Sequence, residues 1–466
     1  MNYISTRGEA PVLGFSDALL AGLARDGGLY LPQTWPQFTA AEIRAMRGLS
    51  YPDLATKLLT PFVEGDIEPE TFARIVGEAY ATFRHDAVCP LVQSGPNEFI
   101  LELFHGPTLA FKDVAMQLLA RLMDHVLAKR GQRATIVGAT SGDTGGAAID
   151  AFAGRDRTDI FILFPRGRVS PVQQRQMTTS TEGNVHALAI EGNFDDCQAL
   201  VKAMFNDHEF RDRVMLSGVN SITWARIMAQ IVYYFSSALS LGSPDRAVSF
   251  TVPTGNFGDI FAGYAAMKMG LPVDRLVVAT NDNDILARTI ATGAYEMRGV
   301  VATTSPSMDI QVSSNFERLL FEAAGRDAAL VRSYMERLKQ SGAFTIDAAP
   351  LAAIRARFDA GRATVSEAAE TIRSTLRRNG YLLDPHTAIA MHVAGRLEGD
   401  APMIVLATAH PAKFPAAVAE ACGVTPALPE WLSGLMEKPE NYMVLPSELK
   451  MVEEYISARS RAAAKV

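Results

Sequence analysis

From about residue 98 to residue 408, short apolar runs alternate with runs of helical spacing, and this alternation restricts the fold more than any other feature of the chain. Phe99–Phe104, Ala134–Ala139, Asp159–Phe164, Val185–Ile190, Val248–Val252, Arg275–Ala279 and Met403–Thr408 read as strands. Lys112 to about Lys129, Asp143–Phe152, Ser170–Met177 and Phe194–Phe205 read as helices. In the first of these, Leu118, Leu119, Leu122, Met123, Val126 and Leu127 fall at the i, i+3, i+4 spacing of a buried stripe. A strand–helix pattern repeated in this way predicts an α/β protein whose parallel sheets carry helices on both faces. Ligands of such sheets collect at the carboxyl ends of strands.

A chain of 466 residues is too long for one simple core, so more than one domain is expected. Residues 1–95 form short helical patterns broken by Gly and Pro, with a helix from Phe15 capped by Ser16 or Asp17 and another over Glu70–Phe83; they read as an N-terminal cap region. Residues 96–430 form the central α/β region, in which about 321–380 reads as a helix-rich, charged insertion. Residues 431–466 read as a helical tail, with Ser447 as a cap for a helix reaching Ala464.

Composition excludes several functions. The net charge is −7 and no basic block occurs, which argues against a nucleic-acid footprint. No apolar run approaches a membrane span, and the start of the chain lacks the apolar core of a secretory signal. Three widely spaced cysteines, Cys89, Cys197 and Cys422, suggest a reducing, cytoplasmic setting. The eight histidines form no metal motif. Asn281-Asp-Asn-Asp284 lacks the spacing and glycine of a calcium loop and reads as a helix cap.

Chemistry concentrates in three loops. His105-Gly-Pro-Thr-Leu-Ala-Phe-Lys-Asp113 puts Lys112 in the first turn of a helix, where the dipole disfavours an ammonium by about 0.3–1 kcal/mol when exposed. A lysine kept neutral can condense with an aldehyde, whereas one simply paired with Asp113 on the surface would be inert. Gly138-Ala-Thr-Ser-Gly-Asp-Thr-Gly-Gly146 and Pro253-Thr-Gly-Asn-Phe-Gly-Asp259 follow strands and open helices, presenting backbone N–H groups to an anion. Each alone could be a tight connection. Neither matches a P-loop or the GxGxxG dinucleotide fingerprint, so nucleotide chemistry loses its support. The Met and Tyr spacing of Met228–Phe235 reads as core packing.

Taken with Gly192-Asn-Phe-Asp-Asp-Cys197, Asn220-Ser-Ile-Thr-Trp-Ala-Arg226 and Ala407-Thr-Ala-His-Pro-Ala-Lys-Phe414, these segments resemble fold type II pyridoxal-phosphate enzymes, and within them the threonine synthase family. Ser5-Thr-Arg-Gly8 and Asp26-Gly-Gly-Leu-Tyr-Leu-Pro32 extend the resemblance to the N-terminus. It implies two parallel or mixed-sheet α/β domains of the tryptophan synthase β-like architecture, with pyridoxal 5′-phosphate in the cleft. By the resemblance, Lys112 would carry the cofactor as a Schiff base, and Gly255, Asn256, Phe257 and Gly258 would cradle its phosphate. Thr408 would meet the pyridine nitrogen, and Asp143 the 3′ oxygen, although many relatives carry Asn there. Ser141 and Thr144 would face the substrate carboxylate, while Asn220, Ser221 and Arg226 would hold the substrate's own phosphate. Independently, Ser221 reads as the cap of a helix over Trp224–Tyr234 with Arg226 one turn in, an arrangement suited to a dianion. His410 and Lys413 read equally well as structural.

The activity implied is conversion of O-phospho-L-homoserine and water to L-threonine and phosphate, the last step of threonine biosynthesis, in a monomer or homodimer. Another fold type II lyase, such as a serine or threonine dehydratase or a threonine-synthase-like phospho-lyase, remains open at this point. A non-catalytic binding protein would have no use for the lysine.

Overall fold

The computed structural model describes residues 1–463. Two sheets dominate it. The larger has six strands in the order Phe358–Arg362, Val273–Thr280, Val248–Pro253, Met403–Ala407, Glu98–Glu102 and Leu91–Gln93. All neighbours run parallel except Leu91–Gln93, which pairs antiparallel with Glu98–Glu102. The smaller has five parallel strands in the order Met443–Pro446, Val185–Glu191, Thr158–Pro165, Ala134–Ala139 and Leu216–Ser217. Val248–Pro253 and Thr158–Pro165 are buried at every residue, as expected of strands covered on both faces by helices. This is the α/β architecture that the alternation predicts.

Two strands lie inside stretches that the sequence reads as helical. The span 321–380 is not purely an inserted helical block, because Phe358–Arg362 within it pairs with Val273–Thr280 as the edge strand of the larger sheet. The tail is not purely helical either, since Met443–Pro446 pairs with Val185–Glu191 before the helix Leu449–Ser457 begins. Short edge strands carry too few residues for alternation to stand out from loop sequence. Ser447 does not cap that helix, which starts after Glu448 without a side-chain cap. The predicted end of the tail at Ala464 lies outside the described residues.

The helix Lys112–Lys129 is buried through most of its length, on more faces than the predicted stripe: Val114, Ala115, Met116, Gln117 and Ala120 are also inside. Helices Asp143–Phe152, Pro69–Tyr80 and Trp224–Ser240 all pack against it. Each large apolar side chain buried there contributes about 1.5–3 kcal/mol, so the start of this helix is anchored by its whole length. The N-terminal region is thus packed on the central helices. Thr6 Oγ1 donates to Glu317 Oε1 at 2.6 Å and Arg7 pairs with Glu317 at 3.0 Å. The helix Phe15–Ala21 starts after Gly14 with no side-chain cap; Ser16 instead gives its backbone N–H to Asp66 at 2.8 Å.

Candidate active site

The carboxyl end of Met403–Ala407 runs beside the segment leading into the central helix. Leu103 N–H donates to Ala407 O at 3.0 Å, Phe111 N–H to Thr408 O at 2.9 Å, and His410 N–H to Leu109 O at 3.0 Å. This pairing lays Thr408 alongside the first turn that carries Lys112. Leu109 takes a left-handed φ of 62°, an uncommon backbone for a branched side chain, held by these bonds. Asp113 does not pair with Lys112. Its carboxylate turns back to accept from Thr108 N–H at 2.8 Å and Thr108 Oγ1 at 2.6 Å, closing the loop. A Cβ at Gly106 would lie 2.5 Å from Asp113 Cβ, so only glycine permits that closure.

The partner of Lys112 is Asp143, with Nζ 3.5 Å from Oδ2. Asp143 opens the helix Asp143–Phe152 after Ala134–Ala139, so the smaller sheet supplies the carboxylate and the larger sheet's side supplies the amine. Asp143 Oδ1 also lies 3.0 Å from Lys413 Nζ and accepts from Gln173 Nε2 at 2.9 Å; Ser307 Oγ lies 3.5 Å from Oδ2. Burial alone would raise the Asp143 pKa, but the ammonium groups of Lys413 and Lys112 outweigh it and hold the carboxyl well below the usual range. Burial lowers the pKa of Lys112; Asp143 opposes that shift, while Lys413 and Arg226 reinforce it.

Two anion-friendly loops meet nearby. Gly258–Lys268 begins with Phe257 in a left-handed conformation (φ 62°) and has no side-chain cap, leaving its first-turn N–H groups to an outside acceptor. Trp224–Ser240 begins after Thr223, again without a side-chain cap, so Ser221 is not the cap expected; the turn Asn220–Thr223 intervenes. Ser221 instead offers its carbonyl to Asn315 Nδ2 at 3.2 Å. The same amide reaches Asn256 O at 2.9 Å and thereby ties the two loops together. Arg318, fully buried behind them, donates to Tyr30 O at 2.7 Å and Ile222 O at 2.6 Å. Arg226 is 3% exposed and donates through Nη1 to Val219 O at 2.9 Å, while its buried Nε has no partner.

The structure therefore brings Lys112, Asp143 and Thr408 side by side, and ties Gly255–Gly258 to Ser221 through Asn315, with Asn220 next to Ser221 in the chain. Arg226 lies near enough to Lys112 to help lower its pKa. Ser141 and Thr144 flank Asp143, half-buried at the opening of its helix. Asn220 and Asn256 are exposed at the rim. Sequence reasoning left Lys413 unassigned and missed Gln173, Ser307, Asn315 and Arg318, which lie in segments with no chemical pattern. Asn281-Asp-Asn-Asp284 does not cap its helix by a side chain. Asn281 and Asn283 instead donate to Asp309 at 2.7 and 3.0 Å, anchoring the loop that carries Ser307.

Comparison with known proteins fits this arrangement. Family models match residues 2–80 (threonine synthase N terminus), 91–409 (pyridoxal-phosphate dependent enzyme) and 387–456 (threonine synthase, C-terminal). The chain is 55% identical to a threonine synthase of Pseudomonas aeruginosa, covering 98% of both chains. It superposes on the crystal structure of a PLP-bound threonine synthase from Brucella melitensis with TM-score 0.97 and 73% identity, covering 99% of this chain and 100% of that one. The yeast threonine synthase structure matches with TM-score 0.94 and 40% identity, covering 98% of each. With one family model spanning more than half of its length and relatives matched from end to end, the chain belongs to the threonine synthase family of pyridoxal-phosphate-dependent lyases.

Proposed function

We propose that this site converts O-phospho-L-homoserine and water to L-threonine and phosphate, with Lys112 as the residue that holds the cofactor and moves protons. Family membership supports the reaction. The residue roles rest chiefly on one observation: a buried amine of lowered basicity, 3.5 Å from a carboxylate, beside two converging loops with free N–H groups.

The residues present suit pyridoxal phosphate. Lys112 supplies an amine for its aldehyde, and the uncapped start of Gly258–Lys268 supplies N–H groups for its phosphate. A Cβ on Gly255 would sit 2.6 Å from Ser307 O, so that loop is packed with no room for a side chain. In this reading Gly255, Asn256, Phe257 and Gly258 cradle the phosphate, Thr408 meets the ring nitrogen and Asp143 faces the 3′ oxygen. When bound, the cofactor supplies an electron sink for charge developing at the substrate Cα.

Ser141 and Thr144 orient the substrate carboxylate. Lys112 Nζ, whose basicity burial lowers, takes protons from Cα and Cβ. Arg226, Ser221 and Asn220 hold the phosphate as its bond to Cγ breaks, the guanidinium and the helix start together stabilising the leaving dianion. Cγ gains a proton, water adds at Cβ and Cα is reprotonated. The reading also places the enzyme in a reducing cytoplasm, supported by three cysteines that are all free, and takes it to be a monomer or homodimer.

The test is to add O-phospho-L-homoserine to the purified protein and measure threonine and phosphate, which should appear in equal amounts. Lys112→Ala should lose both turnover and the visible absorbance of the attached cofactor. An active, yellow Lys112→Ala protein would remove the assignment. Phosphate release without threonine would move the reaction to a sibling lyase.

A further inference from the structure

Two lysines neighbour Asp143, and the reaction as read above needs only one. Lys413 is the nearer, at 3.0 Å against 3.5 Å for Lys112, and its side chain is fully buried. It also donates to Thr108 O at 2.6 Å and Gln176 Oε1 at 3.0 Å. Two of its three donors thus go to neutral oxygens while the Asp143 carboxylate lies within ion-pair distance, so Lys413 is held from three sides. Lys112 has a single long contact with the same carboxylate and lies over the Phe111 ring, and so retains free donors. One helix, Pro171–Thr178, pins both members of the first pair: Gln173 holds Asp143 Oδ1 and Gln176 holds Lys413. Ser170, immediately before that helix, donates to Lys413 O at 3.0 Å and fixes its backbone.

We propose that Lys413 is a positioning residue whose locked ammonium takes up the Asp143 charge, so that Lys112 faces a neutral ion pair rather than a free carboxylate. A lone carboxylate at that distance would hold Lys112 as an ammonium, which neither attaches a cofactor nor accepts a proton. A lone Lys413 would repel it. The pair does neither. The other titratable groups facing these three are Arg226 and Asp259 towards Lys112, His386 towards Asp143, and Asp113 and His410 towards Lys413. Lys413 acts through Asp143 and is not assigned a contact with the substrate.

The proposal rests on the reading of Lys112 as the cofactor-bearing amine. Its test uses the full-length apoenzyme and the pH dependence of pyridoxal phosphate capture, followed by visible absorbance without substrate. In Lys413→Met the midpoint should move up by about 1–3 pH units, because an adjacent unshared carboxylate favours the charged amine. In Asp143→Asn it should move down, because Lys413 remains and the carboxylate is gone. Asp143→Asn/Lys413→Met should return towards the wild-type midpoint. A merely structural lysine would not produce opposite shifts that cancel. An unmoved midpoint in Lys413→Met, or a double variant displaced as far as either single one, overturns the proposal. If Lys413→Met does not fold, the downward shift in Asp143→Asn and its reversal in the double variant decide the matter. Failure of the wild-type apoenzyme to capture the cofactor would refute the reading of Lys112 instead.

Discussion

Arg226→Met separates a residue kept for function from one kept for stability. Arg226 is 3% exposed, has one hydrogen bond, to Val219 O, and forms no ion pair with any acid among the described residues. Burial lowers its pKa to about 10. An isolated buried cation costs several kcal/mol even after relaxation, to order of magnitude. Methionine fills similar volume on a helix at no charge cost, but leaves Val219 O without its donor, a loss of about 1–3 kcal/mol. The two terms oppose each other, so the apoprotein should melt no lower than wild type. Catalysis should behave differently. A charge-assisted hydrogen bond to a phosphate is worth about 1.5–3 kcal/mol, and each 1.4 kcal/mol is about tenfold. The expected fall in kcat/KM for O-phospho-L-homoserine is therefore about 10- to 150-fold. Steady-state phosphate release measures it, and melting in graded inorganic phosphate provides a second readout, since bound anion stabilises only the folded state. A variant that melts far lower yet keeps its kinetics and its response to phosphate would refute the reasoning and make Arg226 a scaffold for Val219.

Asn315→Ala should weaken both anion sites at once, because one amide holds Ser221 O and Asn256 O. At about 1 kcal/mol for each hydrogen bond, the cofactor's Kd and the substrate's KM should each rise about fivefold; a change in neither would show that the loops hold themselves. Asp113 predicts a pH dependence of stability, since burial pushes its carboxyl up to about 7 against the bonds from Thr108. A carboxyl whose folded pKa is raised binds its proton more tightly in the folded state, so stability should fall as pH rises from about 4 to about 7 and level off above. Asp113→Asn should flatten that slope in equilibrium denaturation across the window, and an unaltered slope would place its origin elsewhere.

The candidate site was legible where local sequence enforces local geometry. Gly106, Gly142 and Phe257 sit at places where the backbone must approach a neighbour or turn left-handed, and the glycine-rich segments around them stand out in the bare sequence. Lys112 stood out because a helix start disfavours a lysine's charge. Lys413 did not, since a lysine after a strand is ordinarily a solvated surface residue, and only the folded chain shows it buried against Asp143. Asn315 and Arg318 were invisible for a related reason. Their partners Tyr30, Ser221, Ile222 and Asn256 are distant in sequence, and nothing local in residues 313–318 specifies them.

By itself the sequence determined the α/β class, most of the central strands and helices, and the glycine-rich turns and helix-start lysine that make up the candidate site. These depend on periodicity, on glycine dihedrals and on helix termini, all of which act within a few residues. Only the tertiary structure decided the partner of Lys112, turning Asp113 away to Thr108 and bringing Asp143 across from the other sheet. It likewise assigned Phe358–Arg362 and Met443–Pro446 to sheet edges. Pairing of buried charges and of edge strands is settled by which surfaces remain unsatisfied once the cores have packed, and that is a property of the whole chain.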